Sequence, residues 1–138
     1  MTTSSIEHVS GHPAWRMRVL AILAAIVTNI VILIIGRLLN GAYPTANAGG
    51  SEQIIGFAQV IIVTTLVGLL AWGLLGVLER ATTRAKTIWT VIAMIFLVLS
   101  LLGPLGGGAD TMSKVVLACI HIGAAAPIIF LMRRTTGV

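Results

Sequence analysis

The sequence predicts an all-α integral membrane protein, an antiparallel bundle of four transmembrane helices with both termini in the cytoplasm. Hydrophobic residues make up 57% of the 138 residues and charged residues only 9%, and the mean hydropathy is +1.05. A chain with so little polar surface cannot coat a water-soluble globule of this size. Four apolar stretches each approach the roughly 20 residues that a helix needs to cross a bilayer.

These stretches define a single membrane domain, residues 15–134, between an N-terminal cytoplasmic tail, 1–14, and a C-terminal tail, 135–138. The third stretch has Ser100 as its polar interior residue, which predicts a helix that faces lipid or serves as scaffold. The predicted helices span about residues 17–39, 54–78, 87–103 and 112–132.

Two connections are predicted on the side opposite the termini. NGAYPTANAGGSEQ, residues 40–53, is rich in Gly, Pro and Asn, which is typical of a loop. GPLGGGAD, residues 103–110, has the composition of a tight, non-helical turn. We therefore expect irregular structure in both connections.

A cleaved leader is an alternative for the first helix, because Ala46, Asn47 and Ala48 have the small-x-small pattern of a signal-peptidase site. The apolar run before them is longer than the roughly 7 to 15 residues of a signal sequence. Arg37 also places a charge between the apolar run and that site. We expect the helix to be retained, with cleavage after Ala48 left open.

Basic residues predict the orientation, because cytoplasmic loops carry an excess of Lys and Arg. Trp15 and Trp89 at the predicted inner ends, and Tyr43 beyond an outer end, match the interfacial preference of aromatic rings. Seven basic residues fall on the side of the termini and two on the other: Arg16, Arg18, Arg80, Arg84, Lys86, Arg133 and Arg134 against Arg37 and Lys114.

His121 is a titratable residue near the middle of the fourth apolar stretch, on a helical stripe with the small residues Ala118 and Ala125. Pro127 cannot donate to the carbonyl of Gly123, which predicts a bend just beyond the histidine. One interpretation is a neutral imidazole that hydrogen-bonds a neighbouring helix. The other is a proton relay, ligand contact or cofactor ligand, since an ionisable group is otherwise costly at that depth.

Three further polar residues are candidates for an intramembrane cluster with His121. Asn29, near the centre of the first helix, shares a stripe with Ala25, Gly36 and Asn40. Gln59 lies in the outer third of the second helix, and Arg37 lies near the outer end of the first. Arg37 either snorkels to the headgroups or pairs with an acid. The candidate outer-side ion pairs draw on Arg37, Glu52, Asp110 and Lys114.

No catalytic residues, metal site or cofactor are predicted. His8 and His12 are four apart, but Gly11 and Pro13 break a helix there, and Cys119 and His121 point to opposite sides of a helix. No phosphate loop, haem-attachment motif or nucleophile elbow occurs. The net charge of +5 is not a basic run with interleaved aromatics, so no nucleic-acid partner is expected.

Arg37 at the outer end of the first helix, the Gly/Pro-rich outer turns and His121 within LACIHIGAAAPIIF make the chain similar to one protein family. That family consists of small actinobacterial four-helix integral membrane proteins of unknown function. The resemblance covers about Trp15 to Arg133. It implies four helices in a bacterial plasma membrane and implies no activity.

The leading functional hypothesis is a non-enzymatic accessory or interaction subunit of the plasma (inner) membrane, whose partners are lipids, other membrane proteins or a second copy of itself. The alternative is an oligomeric transporter or a small-ligand or lipid-binding module, with a polar cavity around His121, Asn29 and Arg37. A third hypothesis is a haem protein with His121 as axial ligand and a second ligand from a partner chain.

Overall fold

The computed structural model describes residues 13–107 and 109–136, so most of the predicted N-terminal tail, with His8 and His12, lies outside the described residues. The four helices are long and apolar enough to cross a membrane, which confirms the all-helical, four-segment prediction at that level. The elements are α1 (Ala14–Asn40), β1 (Thr45–Ala48), β2 (Ser51–Ile54), α2 (Phe57–Ala81), α3 (Ala85–Gly106) and α4 (Thr111–Arg133).

The helices form an antiparallel bundle in which each helix packs against its neighbours in sequence and α4 also packs on α1. The α1–α4 contact is the most extensive, whereas α2 and α4 touch across the bundle at few points. We call the end that carries the two termini and the α2–α3 turn the terminal end. The opposite end, which carries the two strands, is the hairpin end.

The apolar core consists of one cluster toward each end. Trp89 belongs to the terminal-end cluster: it is only 1% exposed, and its Nε1 donates to the carbonyl oxygen of Ala71 at 2.9 Å. The ring of Trp89 therefore packs inside the bundle, and its position at a membrane interface stays a prediction. The clusters are Ala21, Ile22, Ala25, Leu75, Trp89, Ile128 and Met132 at the terminal end, and Leu33, Ile55, Val60 and Leu117 at the hairpin end.

Glycines allow α1 and α4 to approach closely. A Cβ added to Gly36 would lie 2.6 Å from Cγ2 of Val116, and one added to Gly123 would lie 2.6 Å from Cδ1 of Ile32. Small residues set such separations where no water drives helices together. Because α1 supplies half of this contact, a chain cleaved after Ala48 would lose it.

A two-stranded antiparallel hairpin occupies much of residues 40–53, where the sequence predicted irregular loop. Thr45 pairs with Ile54, and the two turn residues are Gly49 and Gly50, with φ of +61° and +85°. Two consecutive positive φ values are typical of the type I′ turn that joins tight hairpins. Since Ile54 is part of β2, α2 begins at Phe57 and not at 54.

Pro104 lies inside α3, which continues to Gly106, so the predicted non-helical turn over 103–110 is wrong in its first half. Besides lacking an N–H, proline crowds the Cβ and N–H of the preceding residue, and here that residue is Gly103, which has no Cβ. The N–H of Gly107 bonds to the carbonyl of Gly103 at 3.1 Å and closes the helix.

Candidate functional site

Asn29 is the central buried polar residue of α1 and is fully inaccessible. Its Nδ2 donates to Oγ1 of Thr64 on α2 at 3.0 Å. Its Oδ1 is buried and has no hydrogen-bond partner within the described residues. A Cβ on Gly123 would lie 2.8 Å from that oxygen, so Asn29 sits where α1, α2 and α4 meet.

His121 is half-buried on α4. Its Nδ1 lies 2.6 Å from the carbonyl oxygen of Leu117, one turn earlier in the same helix. The interhelical hydrogen bond expected for the imidazole is not found among the described residues, because its own helix satisfies Nδ1. Nε2 of the ring therefore remains available to hydrogen-bond a group outside the helix.

A partly open cavity of about 310 Å³ lies between α2, α3, α4 and the hairpin, in the hairpin half of the bundle. Apolar side chains such as Val60, Val63, Leu117 and Ile120 form most of its wall. Among the described residues, its polar side chains come from four elements and include no acidic or basic residue other than the histidine: Asn47, Gln59, Thr64, Ser100 and His121.

Of the four residues predicted to form a polar cluster, the structure brings His121 and Gln59 to the same cavity. Asn29 lies behind Thr64, which lines the cavity and accepts its hydrogen bond. Arg37 is separate: it is exposed, and Nη1 donates to the hydroxyl of Tyr43 at 2.8 Å. Its guanidinium carbon also lies 4.4 Å from the centre of the Tyr43 ring.

The candidate outer-side ion pairs do not form among the residues that the structure describes, where the one salt bridge joins Arg18 and Glu79. Arg37 is directed to Tyr43, and Glu52 is exposed on β2. Lys114 is half-buried in the first turn of α4. Asp110 instead caps that helix.

The Asp110 cap also joins α4 to the hairpin. Its carboxylate accepts hydrogen bonds from the hydroxyl of Ser113 at 2.6 Å and from the backbone N–H of Ser113 at 3.0 Å. The Ser113 oxygen accepts from the N–H of Thr45 on β1 at 3.1 Å. Both hydrogen bonds lower the pKa of Asp110 from its usual value, and the bond from the Ser113 hydroxyl has the larger effect.

Sequence reasoning missed a buried polar cluster at the terminal end. Arg18 is 7% exposed. Its Nη2 pairs with Oε1 of Glu79 on α2 at 2.5 Å, and its Nε donates to Oγ1 of Thr135 at 3.1 Å. Thr135 in turn donates to the carbonyl of Met132 at 2.8 Å. The available signal was Glu79, an acid directly before Arg80 at the end of the second apolar stretch.

No group of three or more His, Cys, Asp or Glu side chains in the described ranges 13–107 and 109–136 is placed to hold a metal ion. Within the described residues, interior polar side chains form separate pairs or line the cavity beside His121.

Four helices long and apolar enough to cross a membrane, polar pairs between them and a capping hairpin define a small, mainly helical protein. The chain belongs to the Family of unknown function (DUF6069), whose model matches residues 9–138. No curated protein and no solved structure matches it.

Proposed function

We propose that the protein is a multi-pass protein of an actinobacterial plasma membrane, with both termini cytoplasmic, that acts as a non-enzymatic accessory or interaction subunit. Its partners are the lipid bilayer and other membrane proteins or a second copy, and not nucleic acid. The observation that carries the proposal is α3, of whose apolar span 11% is buried, against 33% in α1 and in α4. A helix with so little contact inside its own bundle leaves a flank for lipid or a partner helix to cover.

The exposed flank of α3 is apolar along its length. Ile95, Phe96 and Leu99 are 54%, 64% and 58% exposed. In water such a surface would drive aggregation, whereas in a bilayer it contacts acyl chains or another helix. This supports both membrane insertion and a role in association.

The interior polar groups support a structural role over a catalytic one. The Arg18–Glu79 and Asn29–Thr64 pairs each join two helices. An active site generally holds a nucleophile, acid or base free to meet a substrate. In these two pairs the polar groups bind one another across helices.

The proposed orientation follows from the ends of the bundle. The seven basic residues of the sequence pattern lie at the terminal end, while Arg37 and Lys114 lie at the hairpin end. The positive-inside rule then places the terminal end in the cytoplasm and the hairpin outside.

Single-cysteine labelling in intact cells tests the orientation. In a Cys119→Ser background, a membrane-impermeant maleimide should label Glu52→Cys on the exposed hairpin and not Thr83→Cys in the exposed α2–α3 turn. Thr83→Cys should react once the cells are opened. Labelling of Thr83→Cys from outside would overturn the topology.

Photocrosslinking tests the interaction role. A photoreactive amino acid in place of Phe96 on α3 should give a discrete protein adduct in native membranes. The matched control is the same replacement of Val27 on α1, which is 60% exposed and should give lipid adducts alone. Identical adducts at the two positions would contradict a dedicated α3 interface.

A second candidate function is a ligand-binding or oligomeric transport module, which the cavity beside His121 favours. Protein reconstituted in liposomes would then move a solute or protons, and His121→Ala would abolish the flux. The accessory role expects instead that His121→Ala reduces stability or partner recovery and leaves any flux unchanged.

A further inference from the structure

The cavity in the hairpin half has the chemistry of a site for an uncharged ligand. No Asp, Glu, Lys or Arg from the described part of the chain lines it, and most of its wall is apolar. An ionised ligand placed there would find no countercharge, and desolvating an unpaired charge is costly. A neutral molecule that dissolves in the bilayer meets neither penalty.

His121 presents a hydrogen-bond acceptor at this cavity. The carbonyl oxygen of Leu117 can only accept, so Nδ1, at 2.6 Å, must carry the proton. In the neutral ring Nε2 then holds the lone pair. Within the described residues Nε2 has no protein partner, and it is not among the fully buried unpartnered atoms, so it is accessible.

A second wall residue is also left as an acceptor. Ser100 donates its hydroxyl hydrogen to the carbonyl of Leu97 at 2.8 Å, which leaves its oxygen lone pairs. Gln59 on α2 and Asn47 on β1 each carry both a donor and an acceptor, and Thr64 already accepts a hydrogen bond from Asn29. The cavity therefore suits a ligand that donates a hydrogen bond.

We infer that this cavity binds a neutral, membrane-soluble molecule with a hydroxyl group on an apolar body, such as a phenol or a lipid alcohol, whose hydroxyl donates to Nε2 of His121. The inference rests on the second candidate function, ligand binding, and specifies the ligand's chemistry. His121 is a binding residue in this role, and no proton transfer is involved.

Three probes that differ in one group test the inference on the full chain in detergent micelles. 4-Hexylphenol can donate a hydrogen bond, 4-hexylanisole has the same oxygen without its hydrogen, and hexylbenzene has no oxygen. Each is titrated as a mole fraction of the micelle. Imidazole ¹⁵N resonances report the state of His121, and ¹³C-methyl resonances of Val63 and Ile120 report occupancy of the cavity.

Before any probe is added, the ¹⁵N pattern should be that of a ring protonated at Nδ1. 4-Hexylphenol should shift the Nε2 resonance saturably, and it should bind about tenfold more tightly than 4-hexylanisole, as expected for one buried hydrogen bond. His121→Phe keeps a ring of similar size without an acceptor and should abolish that difference. Cys119→Ser, on the other side of α4, is the matched control and should preserve it.

Equal binding of the phenol and the anisole would overturn the hydroxyl assignment and leave ligand binding intact. Absence of methyl shifts with all three probes would overturn ligand binding itself. A ring protonated at Nε2 in the free protein would overturn the acceptor assignment. If His121→Phe does not fold, as judged by size exclusion and thermal unfolding, the wild-type chain decides: 4-hexylphenol should shift the Nε2 resonance saturably and 4-hexylanisole should not, and an equal shift with both would overturn the assignment.

Discussion

Arg18 and Arg37 lie near opposite ends of the same helix, and each flanks its apolar stretch, yet their surroundings differ completely. Arg18 is 7% exposed and is bound by Glu79 and Thr135. Arg37 is exposed and contacts Tyr43, six positions further along the chain. The partners of Arg18 are 61 and 117 positions away.

The difference shows where this bundle uses charge for stability. At the terminal end one guanidinium joins α1, α2 and the residue that follows α4 by two positions, through bonds that only the folded chain can form. At the hairpin end the corresponding guanidinium has a local contact, and the hairpin is held instead by the Asp110–Ser113–Thr45 hydrogen bonds. Because one arginine is buried and the other is exposed, we expect them to contribute unequally to the free energy of unfolding.

The largest effect is expected from Arg18→Ala. It leaves the half-buried Glu79 without its cation and should lower the free energy of unfolding by about 2 kcal/mol, below the full cost of a deeply buried pair because the carboxylate stays partly solvated. Unfolding in mixed micelles measures it. Arg18→Lys keeps the charge and loses the fork of donors, so its free energy of unfolding should lie between those of the wild-type chain and Arg18→Ala. A loss no greater than that of Arg37→Ala would remove the contrast between the ends.

Asn29→Ala sharpens the comparison by testing a buried polar contact without charge. Loss of its hydrogen bond to Thr64 should cost about 1 kcal/mol of unfolding free energy, since interhelical hydrogen bonds in membranes are modest. The same unfolding assay measures this, with Thr64→Val as the matched partner variant. A cost equal to that of Arg18→Ala would mean that a charged buried contact stabilises this bundle no more than an uncharged one.

Asp110 gives the hairpin end a pH dependence. Because hydrogen bonds from Ser113 hold its pKa below the usual 3.8, its stabilisation is fully present above the pKa of the unfolded chain and is lost as the pH falls through the lowered folded value. The folded protein should therefore lose stability relative to Asp110→Asn below about pH 4. Carboxyl ¹³C titration checks the pKa directly. A value at or above 3.8 would contradict the cap.

Arg37→Ala should have the smallest effect, about 0.5 kcal/mol or less, because its contact with Tyr43 is exposed. Tyr43→Leu, which keeps the bulk of the side chain and removes the ring and hydroxyl, is the matched variant. A loss of 2 kcal/mol or more, on the order expected for a desolvated pair, would place Arg37 in a contact of another kind.

The number of helices and their polar centre follow from local features of the sequence. Runs of apolar residues long enough to span a bilayer predict α1 to α4. The predicted stripe on α1 is buried at Ala25, Asn29 and Gly36, whereas its last member, Asn40, is exposed. These features depend on composition and on helical periodicity alone.

What the sequence did not predict depends on how the helices are rotated and joined. The pairing of Arg18 with Glu79 needs two helices in register, and the contact at Gly123 needs the separation of α1 and α4. The hairpin strands lack an alternating apolar pattern, so their signal was the Gly49-Gly50 turn. The extension of α3 through Pro104 depends on the glycine before it.

The most direct test of the central claim, that polar side chains of different helices hold this apolar bundle together, is a double-mutant cycle on Arg18 and Glu79. Arg18→Ala, Glu79→Gln and the double variant are unfolded in the same micelles. We predict that the two losses are not additive and that the coupling is about 1 kcal/mol or more. Additive losses, with no coupling outside measurement error, would contradict the claim.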